Sequence, residues 1–309
     1  MSDARPTLKP ELVVLGNLLV DDLVFPDGRT RMTQAGGAVL YGSLAASLWS
    51  DSVAVVSLRG EDYPQDMLRA IAQRGVDVSG IQALGCPGVR TWLLYEERVR
   101  RVIHRLGGPT HEQVSPAPAQ VPAAYSGARA FHLAPMPLEV QRGLLASFAR
   151  DAFVSVDPYA LITEETLPQW RDTLSHADAF FPSEDELLLE QAQTDPVEAL
   201  PRLVSGKLRF VVYKRGLKGG LLYDAREQSF HSWTARTNGV IDPTGAGDSF
   251  AMGFITAHLA GLSVPECLER AIVTASFAIE AWGPDGLLEA TRPVAEARMQ
   301  AWYPKGVAE

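Results

Sequence analysis

The chain has 309 residues, 46% of them hydrophobic and 21% charged, with a formal charge of −9 from 28 Lys and Arg against 37 Asp and Glu. This composition argues against bulk disorder, and the acidic balance argues against a general nucleic-acid binder, which needs a basic face. Cys86 and Cys267 lie far apart in no CxxC or Cys/His spacing; this excludes a disulfide framework and argues against structural zinc, and reads as two reduced thiols.

The first ten residues are polar and do not resemble a signal peptide, and no apolar run reaches 18 residues. The expectation is a cytoplasmic protein with no membrane partner.

Leu12–Leu15 is a short apolar run closed by Gly16, as a buried parallel strand would be. Residues 36–49 open with two glycines and read as a helix, and 53–57 as the next strand. Pro64 starts a helix whose stripe is Met67, Leu68 and Ile71, and Gly75 is placed to cap its end. Residues 76–78 begin another extended piece. Alternating strands and helices favour a parallel sheet covered by helices. The rhythm breaks at 91–95 and 101–106, a hairpin signal. A similar β-like stretch lies between Gly16 and Gly36. The two insertions suit a small sheet standing off the main one, as a lid over a pocket or as surface decoration.

Alternation resumes with strands at Ala130–Leu133, Phe153–Val156, 179–181 and 210–213. Helices are expected at 138–150, 164–175, 183–192 and 196–205. Residues 221–223 and Ser229–Trp233 suggest an antiparallel hairpin at a sheet edge. The last third reads as helices over 245–260, 265–281 and 293–302.

The densest chemical signal is Asp242-Pro243-Thr244-Gly245-Ala246-Gly247-Asp248-Ser249-Phe250. Small residues at 245–247 let backbone approach a ligand closely. Phe250, Met252, Phe254 and Ile255 follow, so the glycines open a helix. Its N–H groups and dipole then converge on a spot suited to a phosphate or to developing phosphoryl charge. A carboxylate in that first turn repels a phosphate unless it has a task. The task that fits Asp248 is taking the proton of an attacking hydroxyl.

This string resembles the C-terminal signature of the ribokinase (PfkB) family of carbohydrate and nucleoside kinases, with Pro243 where Thr is usual. The resemblance implies that Gly245, Ala246 and Gly247 form an anion hole and that Asp248 is the catalytic base. It puts Asp242 near a monovalent cation, with K+ as the candidate ion. Gly16-Asn17 followed by Asp21 resembles the segment whose Asp binds substrate hydroxyls; Asp22, next to it, is the alternative. Gly36 and Gly37 resemble the family's paired glycines beside substrate. Tyr41 stands where Asn is frequent, a pattern more like the inositol-kinase-like branch. Ser183-Glu184-Asp185-Glu186 stands where the family has Asn-x-x-Glu, which implies that Glu186 arranges water and Mg2+ around the phosphates. The same four residues also read as a capping box. Lys214, Gly216 and Gly219 resemble the nucleotide-site turn, which is alternatively a solvated basic turn. Ala275, with Thr274, Ala278 and Ile279, suits either an adenine flank or core packing.

The resemblance implies a single α/β domain over residues 1–309, a three-layer ribokinase-like fold with a mostly parallel central sheet. It also implies a β-sheet lid from about 17–35 and 89–107. The implied reaction moves the γ-phosphoryl group of ATP, with Mg2+, to a hydroxyl of a sugar or polyol. Myo-inositol and hexoses are among the candidate acceptors. A nucleoside kinase, with Tyr41, Trp92 or Phe131 as base platform, is the alternative, as is a non-catalytic sugar-binding regulator. The partner is a small molecule, and the family's lid sheet often pairs between subunits, which implies a homodimer as an option. Arg98, Arg100, Arg101 and Arg105 read as a solvated face or as groups that reach the pocket. The six histidines show no metal spacing and are assigned no role.

Overall fold

A computed structural model describes residues 9–96, 100–190, 192 and 195–304. In chain order it contains β1 (Leu12–Leu15), β2 (Leu19–Val24), β3 (Thr30–Gly36), α1 (Ala38–Ser47), β4 (Val53–Arg59), α2 (Gln65–Gln73), β5 (Asp77–Ala83), β6 (Arg90–Tyr95), β7 (Arg100–His104), α3 (His111–Val114), β8 (Ala130–Leu133) and α4 (Leu138–Leu145). There follow β9 (Phe153–Val156), α5 (Leu167–Leu174), β10 (Ala179–Phe180), α6 (Pro196–Ala199), β11 (Phe210–Lys214), β12 (Gly220–Asp224), β13 (Ser229–Trp233), α7 (Ala246–Leu259), α8 (Val264–Ile279), α9 (Asp285–Glu289) and α10 (Arg292–Trp302).

Nine strands form one sheet in the order β13-β12-β11-β10-β9-β8-β1-β4-β5. Neighbours from β11 to β5 are parallel, and β12 and β13 fold back antiparallel at one edge. β1 explains the layering. Its side chains alternate between faces, so Leu12 and Val14 enter one core and Val13 and Leu15 the other. A strand covered on both faces must be apolar throughout, as LVVL is. The first core takes Leu44 of α1, Phe254 of α7, Ile272 of α8 and Ala295 of α10. The second takes Leu144 of α4, Trp170 of α5 and Ala199 of α6. This is the expected three-layer α/β fold.

The two insertions do pair. β3, β2, β6 and β7 form a separate four-stranded sheet, with β2 and β6 parallel at its centre. No helix among the described residues is long and apolar enough to cross a membrane.

Several expected helices differ. Residues 183–190, within the helix expected over 183–192, are not helical. Leu187 and Leu189 are buried while Leu188 is exposed, an alternation that belongs to extended chain. Leu187 bridges to Ile162, and Ser183 to Lys214. The helix expected over 138–150 ends at Leu145, that over 164–175 starts at Leu167, and the one over 196–205 is α6 followed by a 3-10 turn at Leu200–Leu203. The short helices α3 and α9 were not expected; neither is long enough to show a periodic stripe.

Candidate active site

Parallel strands end on one side of the sheet, and ligands of open α/β sheets bind there. Asn17 follows β1, Tyr63 follows β4, Asp157 follows β9, Ser183 follows β10, and Lys214 ends β11. The 242–248 loop closes this side and leads into α7.

Gly245 adopts φ +77°, a left-handed conformation that favours glycine. It also has no room for a side chain: a Cβ there would lie 2.1 Å from the Tyr41 ring. Tyr41 is thus packed beneath the loop, 3% exposed. Burial pushes its phenol well above the usual range, and the charges of Asp242, Asp21 and Asp248 add to the shift. The loop is tied by Asp242, which is fully buried. Its Oδ1 accepts from the Thr244 backbone N–H at 3.0 Å, the Thr244 hydroxyl at 2.6 Å and the Tyr95 hydroxyl at 3.1 Å. Its Oδ2 accepts from the Gly283 N–H at 3.0 Å. Residues 245–248 stay half-exposed, with Asp248 in the first turn of α7.

Beside this helix start stands a second charged group. Lys214 Nζ donates to both oxygens of Asp157, at 2.9 and 3.0 Å. Burial works against the Lys214 ammonium, but Asp157, Glu186 and Asp248 outweigh it and raise its pKa, so it remains a cation. Asp157 is shifted upward, first by burial and then by Glu186 and Asp248 against the pull of Lys214. The Glu186 carboxylate accepts from the Ser183 N–H at 2.8 Å. The capping contact therefore exists, but it closes a turn and starts no helix. Beyond Lys214, Gly216 and Gly219 bound a one-turn 3-10 helix that enters β12, and Lys218 pairs with Glu184 at 2.8 Å. Ala275 sits half-buried on α8, against the first core.

The other wall comes from the small sheet. A Cβ on Gly36 would fall 1.8 Å from Asp21 Oδ2, so the Asp21 carboxylate lies directly on that glycine. Gly37 precedes α1 as its N-cap. Asp22 faces the other way. It accepts two bonds from Arg90, at 2.6 and 2.8 Å, and one from the Thr33 N–H at 2.7 Å. Burial opposes its charge, but the Arg90 contacts and the Thr33 N–H hold its pKa below the usual range. Asp22 is thus engaged by Arg90 and the Thr33 N–H, while Asp21 faces the glycine.

Thr91 pairs in register with both Asp21 and His104, and its hydroxyl lies 3.3 Å from His104 Nδ1. The His104 ring meets His111 edge-on at 4.6 Å, and His111 meets Tyr159 at 5.0 Å. Asn17 Nδ2 is 3.5 Å from His111 Nδ1. Burial lowers the His111 pKa to about 4, with His104 contributing. His111 Nε2 and the Tyr63 hydroxyl are buried atoms with no hydrogen-bond partner among the described residues.

Of the three suggested base platforms, two are elsewhere. Phe131 is buried in the second core, stacked on Phe148 at 4.1 Å. Trp92 neighbours Thr91 on β6 and so projects from the opposite face. Among the arginines, Arg101 pairs with Glu96 in solvent, the Arg105 charge is felt at Asp22, and Arg98 and the Arg100 side chain lie outside the described residues.

Sequence reading missed Asp157, Tyr95, Thr91 and His111. Asp157 carried a signal: a carboxylate followed by Pro at the end of an apolar strand. The rest depend on how the insertions pair.

The family model described as pfkB family carbohydrate kinase matches residues 11–290. A cytidine kinase of Thermococcus kodakarensis is 31% identical over 282 residues, covering 88% of this chain and 97% of that protein. An E. coli protein described as a ribokinase II, solved with ATP and Mg2+, superposes with TM-score 0.74 at 21% identity, over 94% of this chain and 99% of that one. The nucleoside kinase of Methanocaldococcus jannaschii superposes with TM-score 0.71 at 20% identity, over 95% and 99%. At those identities the two structural likenesses concern the fold.

Proposed function

The chain belongs to the pfkB family of carbohydrate kinases and is a phosphotransferase acting on hydroxyl groups; on that premise we propose that it moves the γ-phosphoryl group of ATP to a ribose hydroxyl of a nucleoside. The observation that carries the acceptor class is the ring row His104, His111 and Tyr159, which extends from Thr91 beside Asp21. Such a row offers stacking area to a base. Asp21, an acceptor of two hydroxyl protons when ionised, suits the sugar. The likeness to a cytidine kinase over nearly its whole length supports the same class.

In this reading Asp248 takes the proton of the attacking hydroxyl. The start of α7, from Gly245 to Gly247, stabilises charge on the transferred group through oriented N–H dipoles. Lys214 adds a cation at that helix start, and the turn from Gly216 to Gly219 with Ala275 flanks the nucleotide. Asp157 holds Lys214 in place. Among the described residues no cluster of three metal-ligating side chains occurs. That fits an ion held mainly by phosphate oxygens and water, with Glu186 arranging that water. Mg2+ bound there would offset charge on the β- and γ-phosphates. Asp242 fits a monovalent cation less well, because four donors already engage its carboxylate; no step depends on such an ion.

The small sheet acts as a lid in this account. Met32, Trp92 and Ile103 are exposed on it, which supports a homodimer through that sheet; sedimentation of a Trp92→Glu variant tests it, a monomer being expected. The acceptor class is tested by ADP release with cytidine, uridine, inosine, ribose, myo-inositol and fructose. Turnover is expected at the lowest concentrations with a nucleoside. Saturation by a free sugar or myo-inositol, with no nucleoside turnover, would return the acceptor to the sugar or polyol class.

A further inference from the structure

Two separate parts of the small sheet converge on Asp242. Tyr95, at the end of β6, places its hydroxyl on Asp242 Oδ1 at 3.1 Å and against the Thr244 hydroxyl. Phe25, just after β2, stacks on the Tyr95 ring at 5.3 Å and meets Trp282 edge-on at 4.4 Å. The Arg29 and Arg31 guanidinium groups, from the same β2–β3 hairpin, lie over Trp282 at 5.3 and 5.2 Å. The residue after Trp282 is Gly283, whose N–H donates to Asp242 Oδ2. One oxygen of the buried carboxylate is thus held by the lid's Tyr95, and the other by the residue after Trp282, which the lid touches. The same carboxylate fixes Thr244, the residue before Gly245.

We propose that Tyr95 is a positioning residue that couples the lid to the anion hole: its hydroxyl completes the bonding of Asp242 and Thr244, and so sets the 245–248 backbone, only while the lid is down. Acceptor binding under the lid and assembly of the phosphoryl site then become one event. Such coupling restrains ATP from reacting with water before an acceptor is in place. The proposal rests on the phosphotransferase reading above and not on which acceptor is used. It also gives Asp242 a hydroxyl of the lid as partner, at the residue that the family resemblance put near a monovalent cation.

The test uses Tyr95→Phe, which keeps the ring on Phe25 and removes only the hydroxyl. With ATP and the best acceptor, kcat is expected to fall about tenfold to a hundredfold, the scale of a misplaced catalytic backbone. KM for ATP is expected to stay within about twofold, and the melting temperature close to wild type. Amide hydrogen exchange over 242–249 is expected to quicken. That arm needs no turnover, so it still decides the proposal if every nucleoside fails as acceptor. Tyr95→Phe with wild-type kcat and unchanged exchange over 242–249 would overturn the coupling.

Discussion

Lys214 and Gly247 meet at the start of α7: a methyl group added to Gly247 would lie 3.2 Å from the lysine Nζ. The contact puts a buried ammonium, held by Asp157, at the helix end where N–H dipoles already favour negative charge. Gly247 lies within α7 and lacks the left-handed backbone of Gly245, so alanine fits its conformation. Gly247→Ala is therefore expected to displace the ammonium and crowd the phosphoryl group without unfolding the chain. In steady-state kinetics kcat/KM for ATP should fall about ten- to a hundredfold, with the melting temperature changed by no more than about 3 °C. Unaltered kinetics would remove Lys214 and Gly247 from the phosphate site.

Asp21 and Asp22 are adjacent and should answer mutation in opposite ways. Asp22 is 1% exposed and bonded twice to Arg90. Asp22→Asn leaves that guanidinium without its charge partner, and the expected cost is about 2 kcal/mol in urea unfolding. Asp21→Asn should leave the unfolding midpoint near wild type and raise KM for the acceptor about tenfold or more, the scale of a hydrogen bond to a charged group. A pair of variants that behaved alike in both assays would contradict the assignment.

Two imidazoles, His132 buried and His111 half-buried, predict the acid side of stability. Burial lowers His132 to about 3 and His111 to about 4, from 6.5 for a free side chain. Between those limits the unfolded chain binds protons that the folded chain does not. Their contribution is therefore complete above about pH 6.5 and is lost as pH falls toward about 4 for His111 and about 3 for His132. His132 lies in the sheet with Nδ1 2.9 Å from the Ser155 hydroxyl. Denaturant midpoints at pH 7.5 and 5.0 should differ clearly in wild type and less in His132→Gln. An equal pH dependence in both proteins would show that His132 titrates normally.

The residues that were legible from sequence are those whose role is local. The string from Asp242 to Phe250 spells a loop and the start of a helix, and it holds that shape here. Buried strands such as Leu12–Leu15 are apolar because both faces are covered. The turn at Ser183 was misread because Ser-x-x-Glu before three leucines suits a helix cap and a closed turn equally, and only the alternating burial of Leu187, Leu188 and Leu189 separates them. Tyr95, Thr91 and His111 could not be found by spacing. Tyr95 and Thr91 reach the site through the parallel pairing of β2 with β6, whose partners are 70 residues apart, and His111 through α3, which sets its ring against His104 and near Asn17. Phe131 misled for the opposite reason: an aromatic on a strand between two cores can face either one, and it faces the core without the site.

The account depends above all on Asp248. Its charge is felt at Tyr41, on the side of Asp21, and at Lys214, on the side of the phosphates. In the proposed reaction it takes the proton of the attacking hydroxyl. The most direct measurement is kcat of Asp248→Asn beside its ATP affinity by titration calorimetry. The expected result is a loss of about 10²- to 10⁴-fold in kcat with ATP binding and the melting temperature essentially retained. A loss smaller than about tenfold would contradict Asp248 as the base.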